Sequence, residues 1–384
     1  MPDEERARAA VREAERFLNA WHGGPGPRGS LLEVAEATIA DERWDRYGSG
    51  ERIERLERRV SQLLGKEDAV FMPSGTMAQP IALRIWCDRR GIRTVAFHPT
   101  CHLELHEEKG YERLHGLHGK LVGDPNRLIT LDDLEALREP VAALLLELPQ
   151  RELGGLLPSW DDLGAQVEWA RQRGIALHMD GARLWEAQPF YDRPHAEIAA
   201  LFDSVYVSFY KGLGGIAGAA LAGEAAFVDE ARVWQRRQGG NLVTLHPFVV
   251  AAELALDERL ERLPVHAAHA RALAAALSEV EGVEIVPDPP QTPLFHVLLR
   301  GDRERLVDAA LSVAEERKVF LFGDPSSTTS PSWQRHEVMV GEVTLALEPT
   351  EVAELYTEVL ARASAAPARP RRQRRRATPP APRT

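Results

Sequence analysis

Three short segments carry side chains suited to one chemistry. In Ser204-Val-Tyr-Val-Ser-Phe-Tyr-Lys-Gly-Leu-Gly-Gly215, a largely apolar run ends at Lys211 and gives way to glycines. Most lysines are solvated surface groups, and that reading stands for Lys211 taken alone. A lysine shielded from water holds its proton less tightly and becomes a good Schiff-base former. In His178-Met-Asp-Gly-Ala-Arg-Leu-Trp185, Asp180 sits where an apolar run ends. A buried carboxylate is costly unless paired, and a protonated ring nitrogen would pair with it. A salt bridge or a helix cap would serve as well. Arg183, three residues on, offers a fork for a substrate carboxylate. In Phe71-Met-Pro-Ser-Gly-Thr-Met-Ala78, Pro73 stops a strand and Ser74-Gly75-Thr76 opens a helix. Gly75 lets the backbone approach a ligand. Free N–H groups at the helix start suit a phosphate. The competing reading is a plain cap by Ser or Thr.

Taken together the three are far more specific. A phosphate loop, a strand-end Asp, and a strand-end Lys 31 residues later is the order a fold-type-I pyridoxal-phosphate enzyme needs. There the lysine holds the cofactor as a Schiff base and the Asp pairs with the pyridinium nitrogen.

The surrounding pattern supplies elements to position them. Strands are expected at Ala69–Met72, Arg93–Phe97, Val141–Leu148, Ile175–Met179, Ser204–Ser208 and Gly218–Ala222. Helices are expected from Thr76 and over Asp161–Arg173. Alternating strands and helices predict an α/β unit with a mostly parallel sheet covered on both faces. Beyond it, helices over 224–237, 247–260, 266–279, 303–317 and 349–362 mix with strands at 283–286, 294–299 and Val343–Leu347. That is an α+β pattern. The expected organisation is an N-terminal helical segment (1–45), a large cofactor-binding domain (46–258), a small C-terminal domain (259–364) and a disordered basic tail (365–384). The N-terminal helices are expected to pack on the small domain or on a partner subunit.

Composition narrows the classes. The 384 residues are 44% hydrophobic and 27% charged, which suits a soluble globular enzyme. No apolar run approaches the roughly 20 residues of a membrane span, and the charged N-terminus is not a secretory signal. Cys87 and Cys101 are the only cysteines. They predict a cytoplasmic location, no disulfide framework and no metal site. Net charge is −11, although the stretch Pro367–Thr384 holds seven Arg and no acid. An acidic body argues against a specific nucleic-acid groove. The tail reads as solvated and like-charged, or as a weak contact for an anionic partner.

Five segments carry a resemblance to the threonine aldolase and β-eliminating lyase family. They are Asp45-Arg-Tyr-Gly48 with Leu56-Glu57, Gly65–Thr76, His102-Leu-Glu-Leu-His-Glu107, His178–Trp185 and Asp203–Gly214. The resemblance covers roughly residues 30–260. It implies the aspartate-aminotransferase-like fold and pyridoxal 5'-phosphate. Carried over position by position, Ser74, Gly75 and Thr76 would hold the phosphate, and His102 would lie on one face of the pyridine ring. Asp180 would pair with the ring nitrogen, Lys211 would bind the cofactor aldehyde, and Arg183 and Tyr47 would bind substrate. A homodimer or homotetramer is implied, because family members build their sites at a subunit interface.

The chain departs from the family in four places. Tyr210 replaces the usual Ser before the lysine. Gly239-Gly-Asn-Leu-Val-Thr244 has Val243 where the family has Arg. Val340-Gly-Glu-Val-Thr344 stands for the usual R-x-V-T-H segment, leaving Arg335, His336 or Arg237 as substitutes for its Arg. The early S-D-T segment has no clean counterpart around Trp21-His22-Gly23. The departures fall on substrate clamping rather than on the cofactor. The expected reaction is Cα–Cβ cleavage of an L-3-hydroxy amino acid to glycine and an aldehyde, with His102 or a water as base. The alternatives are β-elimination or racemisation of an amino acid, and a non-catalytic binding module on the same fold.

Overall fold

A computed structural model describes residues 2–19 and 26–365. The basic tail beyond Ala365 and the Trp21–Gly23 segment lie outside the described residues. The strands are β1 (Arg16–Phe17), β2 (Asp68–Met72), β3 (Thr94–Phe97), β4 (His118–Leu121), β5 (Ala143–Glu147), β6 (Ala176–Gly181), β7 (Ser204–Ser208), β8 (Ala219–Gly223), β9 (Val283–Val286), β10 (Leu294–Arg300), β11 (Val319–Phe320), β12 (Ser326–Ser327) and β13 (Trp333–Met339).

Seven strands form the main sheet in the order β2-β8-β7-β6-β5-β3-β4. Strand β8 runs antiparallel to both neighbours, and the remaining pairs are parallel. Side chains alternate between two buried faces, as the period of a strand requires. Phe71, Leu144, Leu146, Leu177, Met179, Val205 and Val207 face one core, with Trp185 and the helices Glu51–Leu64 and Trp160–Gln172. Val70, Met72, Leu145, Tyr206 and Leu221 face the other side, covered by the helix Gly75–Arg90. This is the α/β architecture of fold-type-I enzymes.

A second, antiparallel sheet, β12-β13-β10-β9, packs with the helices Leu263–Ser278, Arg303–Arg317 and Pro349–Ala365 around its own core. The N-terminal residues divide between the two cores. The helix Pro2–Glu13 lies on Arg303–Arg317, where Arg6 donates to Asp308, Ser312 and Glu315. Strand β1 pairs with β11. The helix Gly26–Ala37 rests Val34 on Val250 and Ala251 of the helix His246–Arg259. No described helix is long and apolar enough to cross a membrane.

Two differences from the sequence expectations have clear causes. The run Val343–Leu347 forms a 3-10 turn over Glu342–Ala346 rather than a strand. Thr344 holds it there: its hydroxyl accepts from Gly341 N at 3.1 Å and donates to Leu18 O at 3.2 Å. A short apolar run does not by itself distinguish the two states. Strands β4 and β13 carry weak signals. β4 is a largely exposed edge strand, and the buried positions of β13 include Gln334 and His336.

The motif residue Glu57 fastens the sheet to its helices. Its buried carboxylate accepts from Phe71 N at 2.7 Å and from Arg232 Nη1 and Nη2 at 3.1 and 2.8 Å. Removing it strands a half-buried guanidinium and a buried N–H. Glu57→Ala is expected to cost about 3 kcal/mol, read as a lowered denaturation midpoint.

Candidate active site

The strand ends bring one row of polar side chains together. Parallel register sets Glu147 of β5 beside Asp180 of β6, and Asp180 beside Tyr206 of β7. By alternation all three lie on the face covered by the helix Gly75–Arg90. Ligands of open α/β sheets bind at this carboxyl edge. Asp180 is 2% exposed, and its Oδ1 accepts from Ala182 N at 3.0 Å. Below it His178 is fully buried and makes hydrogen bonds of 2.8 Å to both Ser204 Oγ and Gln79 Oε1. Burial pushes its pKa down to about 3, so it is a neutral strut between β6, β7 and the covering helix.

Lys211 follows β7 by three residues. A tight turn presents it: Gly214 N donates to Lys211 O and Gly215 N to Phe209 O, both at 2.8 Å. Gly214 adopts φ 66°, which suits glycine. Lys211 is 8% exposed and has no ion-pair partner within 4 Å among the described residues. Burial and the Arg183 guanidinium push its pKa down, against the opposing pull of Asp180 and Glu147. Such an amine is a ready nucleophile toward an aldehyde.

Arg183 begins the helix Leu184–Tyr191. It is buried, and its Nε has no hydrogen-bond partner. Glu186, one turn later, is 2% exposed with both oxygens unpartnered. It presses against the backbone after the lysine: a Cβ on Gly212 would lie 2.1 Å from Glu186 Oε1. Burial raises the Glu186 pKa to about 7. Burial and the neighbouring Asp180 raise that of Glu147 to about 8. Like charges side by side do not both ionise easily.

Ser74 caps the helix Gly75–Arg90, its hydroxyl accepting from Met77 N at 3.3 Å. Thr76 is exposed on the first turn. The space left by Gly75 is taken by Tyr206, whose hydroxyl lies 2.0 Å from where a Cβ would be. The glycine is therefore required by a protein side chain at the row of strand ends. Tyr210 is half-buried and reaches the same hydroxyl. His102 is partly exposed, and its Nδ1 meets Glu107 Oε1 at 2.9 Å. Glu107 in turn lies near Tyr206 and Tyr210.

The structure thus gathers Lys211, Asp180 and Arg183, with Ser74, Gly75 and His102 reached through Tyr206, Tyr210 and Glu107. Tyr47 is placed apart, with an exposed ring and its backbone N donating to Val243 O at 3.2 Å. Of the substitute cations, His336 belongs to the second core. Its Nε2 meets Tyr356 Oη at 2.8 Å and its ring stacks on Phe322. Arg237 lies over the Trp234 ring. Arg335 of β13 reaches Glu152 Oε2 at 3.4 Å, and Arg151 and His106 hold Glu152 Oε1 at 3.1 and 2.9 Å. Sequence reasoning did not single out Glu147, Arg151, Glu186 or Tyr206. Glu147 lies near the end of an apolar run, as Lys211 does, but Leu148 and Pro149 prolong that run past it.

Glu186 yields a pH test. Its folded pKa of about 7 exceeds the unfolded 4.5. The stability it contributes is therefore full below about 4.5 and is lost as pH rises through 7. Glu186→Gln is expected to flatten that decline, which is on the order of 3 kcal/mol, in urea unfolding of the cofactor-free protein across this range.

The chain is similar to known proteins. The beta-eliminating lyase family matches residues 30–299. A low-specificity L-threonine aldolase of Arabidopsis thaliana is 28% identical over 293 residues, 74% of this chain and 82% of its own. That of Escherichia coli K12 is 29% identical over 66% of this chain and 76% of its own. A solved structure from Listeria monocytogenes, assigned as an L-allo-threonine aldolase, superposes with a TM-score of 0.89 at 39% identity. It covers 94% of this chain and 99% of its own. The chain belongs to the beta-eliminating lyase family.

Proposed function

We propose that this protein is a pyridoxal-phosphate-dependent lyase that cleaves the Cα–Cβ bond of an L-3-hydroxy amino acid, giving glycine and an aldehyde. The observation that carries the reading is the buried, unpaired Lys211 amine at the strand edge that holds Asp180. That donor set fits one aldehyde-bearing, protonated pyridine. The relatives' activities support the same reaction.

Each side chain has a task. Lys211 would hold the cofactor aldehyde. Asp180 would accept the ring N–H and keep that nitrogen charged. Ser74, Gly75, Thr76 and the helix start behind them receive the phosphate. When bound, the cofactor supplies the sink for the electron pair released at Cα. His102 would lie against the cofactor ring. Arg183, whose Nε has no partner among the described residues, would grip the substrate carboxylate and orient the substrate. Arg335, held by Glu152, which also binds His106 beside His102, would be the second cation for that carboxylate.

The working form is a homodimer. Trp44, Tyr47, Leu242 and Val243 are exposed large apolar side chains, and the Tyr47 N–H to Val243 O bond makes two of them contiguous. Such patches mark interfaces. Tyr47 would reach substrate only across that interface. Both cysteines are free and buried, consistent with the cytoplasm.

Two outcomes test these readings. Threonine, allo-threonine and phenylserine are expected to release glycine and the matching aldehyde. Lys211→Ala is expected to abolish both the release and the visible absorbance of bound cofactor. Pyruvate and ammonia from serine or cysteine in place of glycine would assign β-elimination instead. In light scattering, wild type is expected at twice the chain mass or more, and Trp44→Asp is expected to shift it toward monomer.

A further inference from the structure

We propose that Glu107 is a positioning residue: it fixes the proton of His102 on Nδ1 and so leaves Nε2 as the base for the β-hydroxyl of the substrate. The role for Nε2 rests on the aldol-cleavage reading; the tautomer does not.

The geometry begins with the 2.9 Å contact between His102 Nδ1 and Glu107 Oε1. A carboxylate only accepts, so Nδ1 must be the donor and Nε2 carries the lone pair. Glu107 is buried, and its Oε2 has no hydrogen-bond partner. His102 Nε2 makes no hydrogen bond with the described residues. The neighbouring imidazoles are held by other partners. The His106 ring lies 5.0 Å from that of His102, but its Nε2 is held by Glu152 at 2.9 Å. His98 spends Nε2 on the Asp124 and Arg127 carbonyls and Nδ1 on Thr100. His178 has both nitrogens bonded in the core. Of these four rings, His98 and His178 have both nitrogens bonded, while His102 keeps Nε2 free and His106, turned by Glu152 instead of Glu107, keeps Nδ1.

The step balances. Nε2 takes the hydroxyl proton; the O–H bond breaks and an N–H bond forms. The oxygen closes the C=O of the aldehyde as Cα–Cβ breaks. Glu107 stays ionised and stabilises the imidazolium. The proton ends on Cα of glycine, so none is gained or lost overall.

The test is the tautomer of His102, read by ¹⁵N NMR of the cofactor-free protein labelled at histidine and assigned by its loss in His102→Gln. Wild type is expected to show the Nδ1–H form. Glu107→Leu is expected to lose it, and Glu107→Gln, which keeps an acceptor oxygen, to retain it. In the cofactor-loaded enzyme, Glu107→Leu is expected to lower kcat roughly 10- to 100-fold with KM within about twofold. An Nε2–H form in wild type, or an unchanged tautomer in Glu107→Leu, overturns the proposal. So does a loss confined to KM. If wild type releases no glycine but the tautomers behave as stated, the reading of the reaction fails and the positioning role stands.

Discussion

Charge buried without a matched partner is the constraint around which the large domain is built. At the edge of β5, β6 and β7, Lys211, Arg183, Asp180, Glu147 and Glu186 are drawn into a small region. Pairing could relieve the desolvation cost of such groups, yet among the described residues Lys211 has no ion pair and Glu186 no hydrogen bond to either oxygen. Such clusters concentrate where a ligand completes them or where protons move. Gly212 gives Glu186 its seat, Gly75 gives Tyr206 its seat, and His178 anchors the strand that carries Asp180.

Much of this was legible in the sequence, because the site sits where apolar strands end in a charge. Asp180 and Lys211 each close an apolar run, and the β7 span follows directly from its composition. The same rule applies to Glu147 but is masked there by Leu148-Pro149, which prolongs the apolar run. Other parts were hidden for physical reasons. Tyr206 reads as an ordinary strand residue, and only its contact with Gly75 ties it to the phosphate loop. Glu186 reads as a helix surface residue until the helix is seen packed on the lysine turn. The buried positions of β13 include Gln334 and His336, so hydrophobic alternation does not reveal that strand.

The departures from the family pattern also gain a physical setting. Tyr210 reaches Tyr206 and so adds a phenol beside the row of strand ends. Val243 stands on an exposed apolar patch with Tyr47 rather than in the charged cluster. Arg335 of the second sheet and Arg151 meet at Glu152. On the proposed reading, the cofactor groups come from the large sheet and the second substrate cation from the smaller one.

On the proposed reading, Asp180 and Lys211 act on opposite sides of one pyridine ring. Loading the protein with pyridoxal phosphate carrying ¹⁵N in the ring tests it most directly. Near neutral pH the nitrogen resonance is expected at its protonated position in wild type, and at its unprotonated position in Asp180→Ala with Lys211 still bound to the aldehyde. An unprotonated ring in wild type, or a resonance indifferent to Asp180, would contradict the account.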